Sequence, residues 1–304
     1  MFFLPLFDNN PTSRTPIISY LILISCVTVF LWQLGLSGYE ERKAFFQLGI
    51  IPSVLLGTDE LPINLALIPD WLTIFSSMFL HGGWLHLGSN MLYLWIFADN
   101  VEDSMGPFRF ILFYALCGVG AGLCQAMIDP SSQIPIIGAS GGIAGILGAY
   151  ILLHPRATVR VFMLILIFVR IISLPAWLVL GVWIAGQFAA APSGLSGGGG
   201  VAYFAHIGGF LTGMALIPFF KRRDIKLFAD DRVSPRVKWS PEPSSLSTLK
   251  QEARVRYKRQ RSGSVPAVQK RTKGPLALWY VFAPLVQNRY VAAYSEPALP
   301  VLRC

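Results

Sequence analysis

Four polar side chains stand inside strongly apolar stretches: Ser140, His206, His86 and Asn90. Polar residues at membrane depth are costly and often functional. A serine beside a histidine can make a nucleophile, because the imidazole takes the hydroxyl proton as attack begins. An asparagine and a second histidine can donate hydrogen bonds to an oxyanion as it develops. This set of residue types suits acyl transfer, provided the fold brings them together.

Ser140 lies in "IIGASGGIAGILGAY", residues 136–150. It could be reactive, or only small. Gly138, Ala139, Gly141, Gly142, Gly145 and Gly148 give the segment a small-residue surface, and Gly209 and Gly213 form a GxxxG pair. Such surfaces let membrane helices approach closely. The two roles cooperate, since close packing would carry Ser140 to His206. Ser140 also starts a helix, so nearby backbone N–H groups are unpaired within it and can aid an oxyanion.

These residues need membrane helices to hold them. The chain is 54% hydrophobic and only 13% charged, with a mean hydropathy of +0.55, whereas ordinary soluble domains are about 25% charged. That composition reads as a polytopic membrane protein. Six spans are expected, over residues 16–36, 84–101, 108–128, Ser140–Leu153, 176–191 and 201–220. The apolar run from 156 to 191 is too long for one simple span. Pro175 splits it, leaving an interfacial first part with Arg160 and Arg170. The expected fold class is all-α, a six-helix bundle with a long loop between the first and second spans. That loop, residues 37–83, carries apolar segments too short to span and is expected to dip into the outer leaflet.

Residues 221–304 hold 18 Lys+Arg against 6 Asp+Glu, a net of +12, while residues 1–220 hold 7 against 10, a net of −3. A membrane domain over 1–220 and a basic, largely disordered cytoplasmic tail over 221–304 are expected. The positive-inside rule places both termini in the cytoplasm. Clusters such as "KRR" and "RVRYKRQR" suit anionic lipids, and a solvated tail explains them equally well. Nothing in the aromatic pattern points to nucleic acid. The cysteines Cys26, Cys117, Cys124 and Cys304 form no CxxC pair, so neither a disulfide framework nor a metal site is expected.

Under this topology the four residues converge. At a helical rise of about 1.5 Å per residue, Ser140 lies about 24 Å from Arg156 and His206 about 22 Å from Lys221. On the same basis His86 and Asn90 lie about 25 Å and about 20 Å from Asp103. Their spacing of four puts them on one helix face. All fall a little below the outer surface of a roughly 30 Å core. No Asp or Glu sits at that level, so a two-residue dyad is expected. Other polar residues read more plainly. His81 and Trp84 shape the entry to the second span, and His154 marks a helix end. Asp99, Glu102, Asp103 and Arg109 form an inner interfacial cluster. Gln125 and Gln187 are interhelical hydrogen bonders without assigned chemistry.

Three stretches, "FLHGGWLHLGSNMLYLWIFADNVEDSMGPFRFILFY", "GASGGIAGILGAY" and "AHIGGFLTG", resemble the rhomboid family of intramembrane serine proteases in motif, order and spacing, over about residues 10–220. The resemblance implies a six-helix fold, Ser140 as nucleophile and His206 as general base. It implies an oxyanion site from His86, Asn90 and the Ser140 backbone N–H, and no metal or cofactor. It implies single-span membrane proteins as substrates, cut in or near the outer membrane boundary. Some family members stack a tyrosine on the histidine four residues after the serine. Here that position is Ala144, so what holds His206 is open. The Gly-rich stretch 191–200, before the last span, reads as a flexible cap. A catalytically inactive relative that binds transmembrane helices is the alternative, and the chain shows neither the internal repeats nor the path of charged residues expected of a transporter. A bacterial inner membrane is the expected location.

Overall fold

The computed structural model describes residues 2–165, 168–194 and 200–229. The expected tail beyond residue 229, and residues 195–199 of the Gly-rich stretch, lie outside the described residues.

Strand β1 (Phe2–Asp8) leads into helix α1 (Ile17–Leu34), which matches the first expected span. The long loop then folds into short elements. Helix α2 (Gly38–Leu48) starts from a capping box in which Ser37 and Glu40 satisfy each other's backbone N–H. Single turns follow as α3 (Pro52–Leu55) and α4 (Thr73–Ser76). Helix α5 (Trp84–Met105) gives way to α6 (Pro107–Ile128) at Gly106. Gly106 has φ +86°, and Pro107 opens the next helix without an N–H that needs a partner. Helix α7 (Ser140–Leu153) starts and ends at the expected residues. Helices α8 (Ala176–Gly194) and α9 (Tyr203–Phe220) complete the helical part.

The chain is not all-α. Strands β2 (Thr158–Ile165) and β3 (Phe168–Pro175) pair antiparallel, and β1 joins β2 to make a three-stranded sheet in the order β1-β2-β3. This corrects the expected all-α class, since the first part of the 156–191 run, expected only to lie at the interface, forms strands. Val159 and Val161 are fully buried while Arg160 between them is exposed, the period of a strand rather than a helix. Pro5 is tolerated in β1 because that strand is at an edge, and the pairing shifts register just after it.

Among the described residues, four helices are long and apolar enough to cross a membrane: α1, α6, α8 and α9. Their outward faces carry exposed Ile17, Leu21, Ile24, Ile111, Leu112, Val182 and Leu211. Such faces are wrong for water and suit hydrocarbon. The protein is therefore an integral membrane protein of mainly helical build. Helix α5 bears three acids near its end, and α7 has only 14 residues. At about 1.5 Å per residue α7 rises about 21 Å, less than a full core.

Glycine sets the closest helix contact. A Cβ at Gly209 would collide with the Gly141 carbonyl, and one at Gly213 with the Gly145 backbone. The contacts advance together along both chains, so α7 and α9 run parallel with backbones touching. The acids at the end of α5 anchor the N-terminal segment. Buried Glu102 accepts from the Ile18 and Ser19 backbone N–H groups at 3.0 and 2.8 Å and from Ser19 Oγ at 2.7 Å. Asp103 accepts from Ser13, while Arg109 instead reaches the Phe220 carbonyl at the end of α9.

Candidate active site

Helix α7 begins at Ser140 immediately after a backbone reversal. Gly138 has φ +124°, a conformation that side-chain-bearing residues rarely adopt. Its Cα also faces the site: a Cβ there would lie 2.7 Å from His86 Nε2 and 3.7 Å from Ser140 Oγ. The absent side chain leaves room between those two groups.

His206 sits one turn into α9, and the α7–α9 glycine contact sets its distance from Ser140. His206 Nε2 lies 2.8 Å from Ser140 Oγ. On the other side of the ring, Nδ1 lies 2.7 Å from Gln187 Oε1. An amide oxygen only accepts, so Nδ1 carries the proton. The neutral ring's Nε2 is then the acceptor and takes the bond from the Ser140 hydroxyl. That is the protonation state a general base requires. The Trp183 ring lies 5.9 Å from the imidazole centroid at an interplanar angle of 36°. Ala144, four residues after Ser140, is fully buried and too small to reach the ring. Helix α8 therefore supplies both the polar and the aromatic neighbour of His206.

Helix α5 places His86 and Asn90 on one face. Gly82 donates its backbone N–H to His86 Nδ1 at 3.3 Å. That bond leaves Nε2 as the protonated, donating nitrogen. Asn90 is buried, and its Nδ2 has no hydrogen-bond partner among the described residues. A buried donor without a partner is costly in a resting protein. It is the kind of group an oxyanion site holds ready. The first N–H groups of α7 have no partners within the helix and add donors at Ser140.

The entry to α5 is held from α1. Gln33 Nε2 donates to the His81 carbonyl at 2.9 Å, and the His81 N–H donates to Gln33 Oε1 at 3.1 Å. His81 thus shapes the loop, and its ring stands edge-on to His86 at 5.1 Å. Gln125 of α6 accepts the Ala205 N–H at 3.2 Å and caps α9 beside His206. That is the interhelical bond its place in the sequence suggests. Sequence reasoning reads Gln187 as an interhelical hydrogen bonder, which it is, without assigning it chemistry, and does not single out Trp183. The signal available is their spacing of four on one face of an apolar helix.

Comparisons with known proteins follow the same lines. The family model described as "Rhomboid domain" matches residues 69–223, about half of the chain and all four candidate residues. Rhomboid-like protein 11, chloroplastic, of Arabidopsis thaliana is 32% identical over 214 residues, covering 69% of this chain and 67% of that protein. Rhomboid protein 1, mitochondrial, of Saccharomyces cerevisiae is 28% identical over 152 residues, covering 47% of this chain and 40% of that protein. Rhomboid protease AarA of Providencia stuartii is 33% identical over 102 residues, covering 29% of this chain and 36% of that protein. The names span chloroplast, mitochondrion and bacterium, so they lend the expected bacterial inner membrane no support.

Proposed function

The chain belongs to the rhomboid family, and from that premise we propose that it is an intramembrane serine endopeptidase acting on single-span membrane proteins. The observation that carries this reading is the Ser140 Oγ–His206 Nε2 contact of 2.8 Å, in a tautomer that can accept the hydroxyl proton.

A substrate helix approaches laterally near α8 and unwinds at its end, because an intact helix hides its carbonyls. Ser140 Oγ attacks the carbonyl carbon as His206 Nε2 takes its proton. The oxyanion receives hydrogen bonds from Asn90 Nδ2, His86 Nε2–H and the Ser140 backbone N–H. The protonated His206 then gives its proton to the leaving amine, and an acyl-enzyme remains. Water, deprotonated by His206, hydrolyses that ester and restores Ser140. No metal or cofactor takes part in this scheme. In this reading α5 and α7 cross the membrane with α1, α6, α8 and α9, making six spans, and both termini face the cytoplasm.

The test is cleavage in bilayers. The full chain is reconstituted with a single-span peptide carrying small or helix-breaking residues near one end of its span. Mass spectrometry should find one cut within or next to the span, absent with Ser140→Ala. Cutting that persists at the normal rate in Ser140→Ala would refute the mechanism.

A further inference from the structure

Helix α8 buries few of its residues against the rest of the protein. Its buried residues are Ala176, Val179, Leu180 and Ala191. Between them, Gly181 and Gly186 face open space, and Val182 and Phe188 are exposed. From the inner face of this middle stretch, two side chains one turn apart reach inward to one ring. Trp183 packs on His206 and also on Phe210 and Tyr93, with centroids 6.2 and 6.3 Å away. Gln187 accepts the His206 Nδ1 proton at 2.7 Å. The Gln187 amide is itself oriented, because its Nε2 donates to the Trp183 carbonyl at 3.4 Å, so Oε1 is the atom that faces the imidazole.

We propose that Gln187 is the positioning residue of the dyad: it selects the His206 tautomer that accepts from Ser140. This rests on the serine protease reading above. Without the Gln187 oxygen, the Nδ1–H form loses its stabilising partner, and the ring can turn or hold its proton on Nε2. With the proton on Nε2, the ring cannot take the Ser140 proton. His86 of α5 is the other histidine of the site, and its Nδ1 accepts from the Gly82 N–H. It is neutral in the tautomer described, so the orienting group is an uncharged amide.

Two measurements on the full chain in bilayers test the proposal. The first is nitrogen NMR of protein carrying 15N-labelled histidine. The chain has 4 histidines, so the His206 signals can be assigned by difference with His206→Asn. Wild type should show the Nδ1–H tautomer, and Gln187→Met a mixture or the Nε2–H form. A wild-type Nε2–H form, or an unchanged tautomer in Gln187→Met, overturns the proposal. The second is the rate at which a fluorophosphonate labels Ser140, measured against pH. Gln187→Met should slow labelling about tenfold, the scale of one buried hydrogen bond. Gln187→Glu keeps an acceptor, so it should restore labelling and move the acid limb to higher pH, because a carboxylate stabilises the imidazolium. Equal rates and identical profiles in all three proteins overturn the proposal while leaving the serine reading intact. Wild type that never labels at Ser140 defeats that reading, and the positioning role with it.

Discussion

Gly82 and Gln187 each fix one histidine tautomer, and they fix opposite ones. His86 presents Nε2–H as a donor, whereas His206 presents a bare Nε2 as an acceptor. Two chemically identical side chains thus take different roles through the partner of the other ring nitrogen. At this scale the oxyanion assignment makes a firm prediction. Asn90→Ala should lower the cleavage rate about 10²–10³-fold, the usual cost of one lost oxyanion donor. Substrate KM should change little, and a KM-only effect would remove Asn90 from the oxyanion site. Gly138→Ala adds a methyl group 2.7 Å from His86 Nε2. It does so in a backbone region that costs alanine about 1–3 kcal/mol. The variant should abolish Ser140 labelling in protein that still folds, and normal labelling would show that the Gly138 space is not needed. The candidate residues are legible in the sequence because polar groups stand out in apolar spans. The orienting partner is less legible. Nothing in the spacing of Gln187 distinguishes a bond to His206 from one to any neighbouring helix.

Contact between α7 and α9 is limited by backbone, so an added carbon on either side has nowhere to go. Gly213→Ala should force the helices apart and cost about 1–3 kcal/mol, as overpacking does. It should also slow labelling, although residue 213 lies two turns from His206. Gly181→Ala is the control, since its Cβ meets nothing within 4 Å. It should leave both Tm and labelling unchanged or slightly raise Tm. If the two variants behave alike, glycine contact does not set the dyad's geometry. The α7 boundaries are readable because a run of small residues is bounded by Gly138 and by His154–Pro155. The sheet is not. An apolar stretch such as "TVRVFMLI" suits a buried strand or a helix equally well by hydrophobicity. Its partner β1 stands at the other end of the membrane body's sequence, at the very start of the chain. The alternation of Val159, Arg160 and Val161 is the available signal, and Pro175 marks the end of a strand rather than a break between helices. The loop between α1 and α5 also exceeds the sequence reading, which finds its apolar segments but not the capped helix α2.

For the whole molecule, the N-terminal strand is tied to the helical bundle through an acid. Asp8 accepts from Tyr150 Oη and from Asn100 Nδ2. Burial raises its pKa from 3.8 to about 7; the Tyr150 bond and His154 oppose the rise, and Asp99 adds to it. The folded protein therefore keeps, up to about pH 7, a proton that the unfolded chain releases above about pH 4. Unfolding releases that proton between these values, so stability should fall as pH rises from about 4 to about 7. Thermal melting across that range should show the slope. Asp8→Asn, which can still accept both hydrogen bonds, should flatten it, and an unchanged slope would place the titration elsewhere. At this scale a membrane body and a basic end are legible from composition alone, and the comparisons bear out the family that the three motifs resemble. The central claim, however, concerns one oxygen atom. The measurement that tests it most directly treats the pure full chain in lipid bilayers with a fluorescent fluorophosphonate, alongside Ser140→Ala and His206→Ala, with melting curves to show that all three fold. The account predicts label on wild type alone. A folded wild type that takes no label, or label that survives Ser140→Ala, would contradict it.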